Sequence, residues 1–328
     1  MLGALTGRVI AVTALVASIV AVFAASAAAA TPPAQPAKGT LHLTVPDAFL
    51  VGGHLVTVPG RTTHIEGVVR PYVAGQTVLV KAFIGHKQFK TDRLRIRLAP
   101  GGKYGRFTEV LKSPSAGQVT VQVGHTRTAT LGGLLARRSF AALDEHAGFG
   151  SRGPFVELIQ QRLAALHFWI PQTGVYDSGT GLAIDAYHRL LHWGTSQTLD
   201  GRTISYLLDG FGEFKLKFPS HGRHAEGNLS LQLLALADGS HVERIYPISS
   251  GKPSTPTILG DFHVYSKVPG YLPDGMYFSN FFIRGYAIHG FNPAPDFPAS
   301  HGCMRVPIQD ATSIYDWLSI GNWVDVYY

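Results

Sequence analysis

Residues 288–305 read IHGFNPAPDFPASHGCMR, and they set two histidine–glycine pairs around the only cysteine in 328 residues. The intervening stretch 291–299, FNPAPDFPA, carries three prolines and no regular periodicity. A loop stiffened in this way can fold back and bring His289 beside Cys303. Nucleophilic cysteine chemistry needs that pairing, because a neighbouring imidazole lowers the thiol pKa and shuttles its proton. Gly302 removes a side chain just before the sulfur. A substrate carbonyl can then approach the backbone, where the amides of Gly302 and Cys303 are candidates for an oxyanion hole. Two other readings compete. A lone cysteine is often a buried, inert small hydrophobe, and His289, His301 and Cys303 could supply three ligands to a metal. No second cysteine and no H-x-x-x-H helix accompany them, so no metal site is expected. The SGK at 250–252 lacks the upstream glycines of a phosphate loop.

Around this motif, 220–328 is strand-like in NLSLQLLALADG, HVERIYPIS, GDFHVYSK, YFSNFF and YAIHG. One late helix follows Pro307, with Ile308, Ala311, Tyr315 and Leu318 at helical spacing, and NWVDVYY closes the chain as a strand. Upstream, 151–210 is helical. Pro154 suits a helix start, Val156, Ile159, Leu163 and Leu166 share a face, and Asp177 and Asp200 are good N-caps for two further helices. The stretch 134–153 is mixed and glycine-containing, a plausible boundary. Before it, 40–132 holds short β-rich runs broken by Gly, Pro and Ser, which predicts a small antiparallel sandwich with no catalytic cluster. The fold class is therefore multidomain and mainly β.

The N-terminus adds a compartment. Arg8 is the only charge in residues 1–30; an apolar run from Val9 to Phe23 leads to an Ala/Ser end with an A-x-A site, as in a cleaved signal peptide. The alternative is an uncleaved membrane tether, since Val9–Ala30 is long enough to span a bilayer. Residues 31–39 follow as a Pro/Ala linker. Either way the remainder lies outside the cytoplasm, where a lone cysteine can form no intramolecular disulfide. The chain carries 28 Lys and Arg against 21 Asp and Glu, a net +7 that suits an anionic envelope. No dense basic block with interleaved aromatics points to nucleic acid.

Two resemblances sharpen this reading. LIQQRLAALHFW, TGVYDSGTGLAIDAYHRL and LDGRTISYLL resemble the three-helix peptidoglycan-binding module of wall enzymes, although His188 stands where that family usually has glutamine. IHG…SHGCMR, preceded by ISSGKPSTPTILGDFHVYSK, resembles the L,D-transpeptidase (YkuD-type) catalytic domain over about 222–328. That resemblance implies Cys303 as nucleophile and His289 as proton acceptor. It implies that Ser300, His301 and Gly302 shape the nucleophile loop and oxyanion hole, with Arg305 near substrate. Gly290 replaces a serine whose main chain orients the histidine in some members, and Tyr277 is the candidate for an oxyanion-assisting tyrosine. The reaction implied is 3→3 cross-linking of peptidoglycan stem peptides through a thioester with loss of D-alanine, in the cell wall or periplasmic space, without metal or organic cofactor. An L,D-carboxypeptidase using the same site, or a non-catalytic wall-binding protein, are the alternatives.

Overall fold

The computed structural model describes Gly3 and residues 35–328. Apart from Gly3, the expected export segment lies outside the described residues, as does the start of the linker. Among the described residues no helix is long and apolar enough to cross a membrane.

Ten strands come first: β1 (Thr40–Thr44), β2 (Phe49–Val51), β3 (His54–Thr57), β4 (Thr62–Arg70), β5 (Thr77–Ile84), β6 (Lys87–Arg95), β7 (Arg97–Leu98), β8 (Gly105–Lys112), β9 (Gly117–His125) and β10 (Leu134–Ala142). They form sheets of order β1-β4-β8-β7 and β2-β3-β10-β9-β5-β6 around one core. Period-two patterning drives this arrangement. On β8, Phe107 and Leu111 are buried while Arg106, Thr108 and Lys112 face solvent. Opposite Phe107 in the register stands Gly67, whose missing Cβ would fall 2.0 Å from the phenyl ring, so the ring packs on bare backbone. Two expectations change here. The sheets extend to Ala142, beyond the predicted limit of 132, because β10 fills the third position of the larger sheet. Its Arg137-Arg138 pair interrupts the alternation that would have marked it as a strand. In addition, β10 runs parallel to β3, so that sheet is not purely antiparallel.

The helices are α1 (Pro154–Ala165), α2 (Ser178–Leu190) and α3 (Gly201–Asp209). Asp177 accepts from the Thr180 amide at 2.9 Å and Asp200 from the Thr203 amide at 2.7 Å, as N-caps do. The buried His188 is hydrogen-bonded to the Thr203 hydroxyl at 2.8 Å, tying α2 to α3. After a 3-10 turn (Pro219–His221) come β11 (Arg223–Asn228), β12 (Leu233–Asp238), β13 (His241–Pro247), β14 (Gly260–His263), β15 (Ser266–Tyr271), β16 (Tyr277–Ile283), β17 (Tyr286–Gly290), β18 (Met304–Val306), α4 (Ile308–Trp317) and β19 (Trp323–Tyr327). The sheet orders are β13-β12-β11-β19-β14 and β15-β16-β17-β18.

The unbroken apolar run Leu233-Leu234-Ala235-Leu236-Ala237 is explained by burial on both faces. Leu234 and Leu236 join Ile288, Met304 and Val306 in the core of the C-terminal domain. Leu233 and Ala235, with Ile245 of β13, instead pack among Ile159, Leu163, Ile184 and Tyr187 of the helices. The three short helices therefore share a core with the β domain, contrary to the expectation of a separate module. Three short helices bury little surface by themselves, and the second face of β12 supplies the missing apolar partner. The predicted inward face of α4 holds at Ala311 and Leu318, which are buried together with Ile314 and Trp317, while Tyr315 instead holds the Lys267 ammonium 4.1 Å from its ring centroid.

Candidate active site

Strands β17 and β18 pair in parallel, Ile288 to Met304, His289 to Arg305 and Gly290 to Val306. Parallel pairing needs a crossover, and the proline-containing segment 291–303 provides it. His289 thus emerges near the end of one strand and Cys303 just before the start of its neighbour. Both line one cavity of about 610 Å³, together with Ser300, His301, Arg305 and, from the facing hairpins, Asp274, Arg284 and Tyr286. Among the described residues, no three His, Cys, Asp or Glu side chains converge as metal ligands would. The His301 Nε2 lies 3.3 Å from the Lys252 ammonium, its donor.

The buried His289 has its Nδ1 2.9 Å from the Gly290 carbonyl. A carbonyl only accepts, so Nδ1 carries the proton and Nε2 keeps a lone pair free for a substrate or thiol proton. The ring also meets Phe291 edge-on at 5.8 Å, and Phe291 carries the Arg305 guanidinium 3.9 Å above its centroid. Phe291 therefore props both residues. No sequence signal marked it beyond its place two residues after the histidine.

Burial pushes His289 down to about 4, and the Arg305 charge adds to the fall against the opposing Gly290 carbonyl. Burial likewise pushes the Cys303 thiol up, only partly offset by the Ala287 amide and Arg305. Desolvation thus prevails, and the thiol lies above its ordinary range instead of below it as expected. At neutral pH the pair is an uncharged thiol and an uncharged imidazole. It is set for proton transfer during attack, not for a standing thiolate–imidazolium pair. Two results follow. The acid limb of kcat/KM should fall near pH 4, below the ordinary histidine range, because activity needs the unprotonated imidazole. Alkylation of Cys303 by iodoacetamide should rise steadily with pH. A fast, pH-independent alkylation plateau through neutral pH would contradict this assignment.

The nucleophile loop is held from within by Ser300. Its hydroxyl donates to the Cys303 carbonyl at 2.6 Å and accepts from the Gly302 amide at 3.0 Å. The Gly302 N–H is thereby engaged, which corrects the expectation that it lines an oxyanion hole. The Cys303 amide has no hydrogen-bond partner among the described residues and remains an available donor on this loop. Gly302 has φ +121, and a Cβ there would lie 1.9 Å from the Tyr286 ring. Tyr286, not Tyr277, is the tyrosine against the nucleophile loop. Tyr277 packs tilted against Tyr271 at 4.3 Å and edge-on against Phe278 at 4.6 Å and does not line the cavity. Gly290 serves packing, not substrate: its missing Cβ would meet that of Ala311 at 2.8 Å as α4 crosses β17.

A buried polar path supports the loop from behind. The Ser300 and Ala299 amides both donate to the Ser250 carbonyl at 2.9 Å. Ser250 is clamped in turn by Gln232, whose Oε1 accepts from the Ser250 amide and whose Nε2 donates to its hydroxyl, each at 2.8 Å. Arg189 of α2, paired with Asp185 at 2.9 Å, donates to the Gln232 carbonyl at 2.7 Å. The path runs without a break from the helices to Cys303.

Comparison with known proteins points to one family. Residues 222–326 match the family model described as the L,D-transpeptidase catalytic domain. A crystal structure of an L,D-transpeptidase from Xylanimonas cellulosilytica is similar at 30% identity and TM-score 0.53, over 56% of this chain and 98% of that one. Another, from Stackebrandtia nassauensis, aligns at 18% identity and TM-score 0.35 over 56% of this chain and 95% of that one. Curated proteins gave no match. Fold and site together define a cysteine acyltransferase of the peptidoglycan-modifying kind. The chain belongs to the L,D-transpeptidase family.

Proposed function

We propose that this protein forms 3→3 peptidoglycan cross-links outside the cytoplasm, with Cys303 as nucleophile and His289 as base. The observation that supports the reading is the shared cavity, which Cys303 and His289 both line from neighbouring parallel strands, with Met304 beside Ile288. The Cys303 sulfur attacks the carbonyl of the third stem residue, at its L-centre, as His289 Nε2 takes the thiol proton. The C–N bond to the terminal D-alanine then breaks, and the imidazolium returns that proton to the leaving amine. The side-chain amine of a neighbouring stem attacks the thioester, loses a proton to His289, and expels the sulfur, which regains it as a thiol. The Cys303 amide faces the oxyanion at both stages, with Tyr286 beside it. In place of an amine, water would make the same site an L,D-carboxypeptidase.

The test is incubation of the protein with disaccharide tetrapeptides, followed by mass spectrometry. The expected products are a cross-linked dimer and free D-alanine, both absent with Cys303→Ala. Tripeptide without dimer would assign the carboxypeptidase reaction instead. Turnover surviving in Cys303→Ala would overturn the mechanism.

A further inference from the structure

The positive charge of the chain is concentrated in one place. Residues 70–112 carry ten Lys and Arg against two Asp and Glu, a net of +8, while the whole chain carries +7. Both acids in that stretch are engaged. Glu109 pairs with Lys90 at 2.6 Å, and Asp92 accepts from the Arg93 amide at 2.7 Å. The excess gathers where the two N-terminal sheets meet at their open edges. Strand β6 closes one sheet and β7 the other, and the single residue between them, Ile96, is 2% exposed and tucks into the core. This crossing turns Arg95 and Arg97 out on either side of the seam.

Arg97 then stands directly opposite Arg106 in the β7–β8 register. Like charges facing each other across antiparallel strands are destabilising. Neither arginine has an acidic partner among the described residues; Glu66, opposite Thr108 on the same sheet, makes no ion pair with them. Arg95, Arg97 and Arg106 line one crevice of about 450 Å³, floored by Leu94 and Phe107. Three exposed guanidinium groups in a concavity, held together against their own repulsion, form a receptor for anions. The planar fork of arginine matches phosphate oxygens in pairs.

We infer that this crevice binds a phosphodiester-linked anionic polymer, which it grips through Arg95, Arg97 and Arg106. A polymer suits the geometry better than a bilayer surface does. Its phosphates can enter a concavity in sequence, whereas a flat lipid surface reaches only the rim. The inference is independent of the chemistry at Cys303, and its test leaves that site untouched.

The full-length protein is titrated calorimetrically with poly(glycerol phosphate) at several salt concentrations, beside the Arg95→Ala/Arg97→Ala/Arg106→Ala variant. Wild type should bind with a steep salt dependence. The variant should bind at least tenfold more weakly, its log–log salt slope shallower by about 2, as expected for three lost phosphate contacts on a single strand. Cross-linking activity on soluble tetrapeptides should be unchanged. The single variant Arg106→Ala should melt at the same temperature as wild type or higher, since it removes a like-charge pair. Equal polymer affinity in wild type and triple variant would overturn the inference. So would equal affinity for polyglutamate of matched length, or binding to phosphatidylglycerol vesicles without binding to the polymer. A lowered melting temperature in Arg106→Ala would show that the arginine is there for packing, not for a ligand.

Discussion

Gly302→Ala should lower kcat/KM by roughly 10²–10³-fold, the loss expected when an oxyanion-hole loop is displaced. Two costs act together at this position. The backbone holds φ +121, which a residue with a Cβ rarely adopts, and the new methyl carbon would sit 1.9 Å from the Tyr286 ring. The loop must then swing away from β17, carrying the Cys303 amide and sulfur with it. A pair of variants separates these causes. Tyr286→Ala in the Gly302→Ala background removes the ring clash but leaves the φ strain, so it should recover part of the lost turnover. Full activity in a folded Gly302→Ala protein would mean that the loop does not lie against Tyr286 during catalysis.

The second large effect is expected from Gln232→Leu, which conserves volume and removes every polar contact of the side chain. The Ser250 amide and the Leu229 carbonyl, now paired with it at 2.8 and 2.6 Å, would be left buried and unsatisfied. Stability should fall by about 2–6 kcal/mol, at about 1–3 kcal/mol for each of the two stranded groups. Because the Ser250 carbonyl receives the Ala299 and Ser300 amides, kcat should fall by more than KM rises. Small misplacements of a reacting group cost about 10²-fold. Ser250→Ala loses only the hydroxyl contact and keeps the main-chain ones, so its effect should be several-fold smaller. Equal damage from the two variants in stopped-flow acylation assays would contradict this ordering.

Much of the candidate site was legible in the sequence. Cys303, His289, Ser300 and the tight glycine at 302 lie in a short motif whose residue types state their chemistry, and the register of β17 with β18 is local. The supports were not legible, for physical reasons. Gln232, Ser250 and Arg189 are polar residues in three separate segments, and nothing in their spacing announces that they meet. Tyr286 and Tyr277 are both strand tyrosines near the histidine. The β16–β17 register slips twice between Tyr277 and the turn, so sequence spacing does not tell which one faces Gly302. The run 233–237 reads as a strand, but nothing in it tells that both faces of β12 are buried or that the second face belongs to the helices. The boundary at 132 failed because β10 wears its arginines outward and lacks alternation.

The common core beneath β12 and β13 has a mechanical consequence. Two bodies joined by a slack tether can be pulled apart by many ångströms before either feels the other. Here the helices grip β13 through the Phe168–Ile245 bridge and reach the 231–232 turn through Arg189, so there is no slack to take up. A force on the helical unit would load the catalytic sheet at once, and the stiffness of the whole assembly would set how far the thiol stands from anything those helices hold.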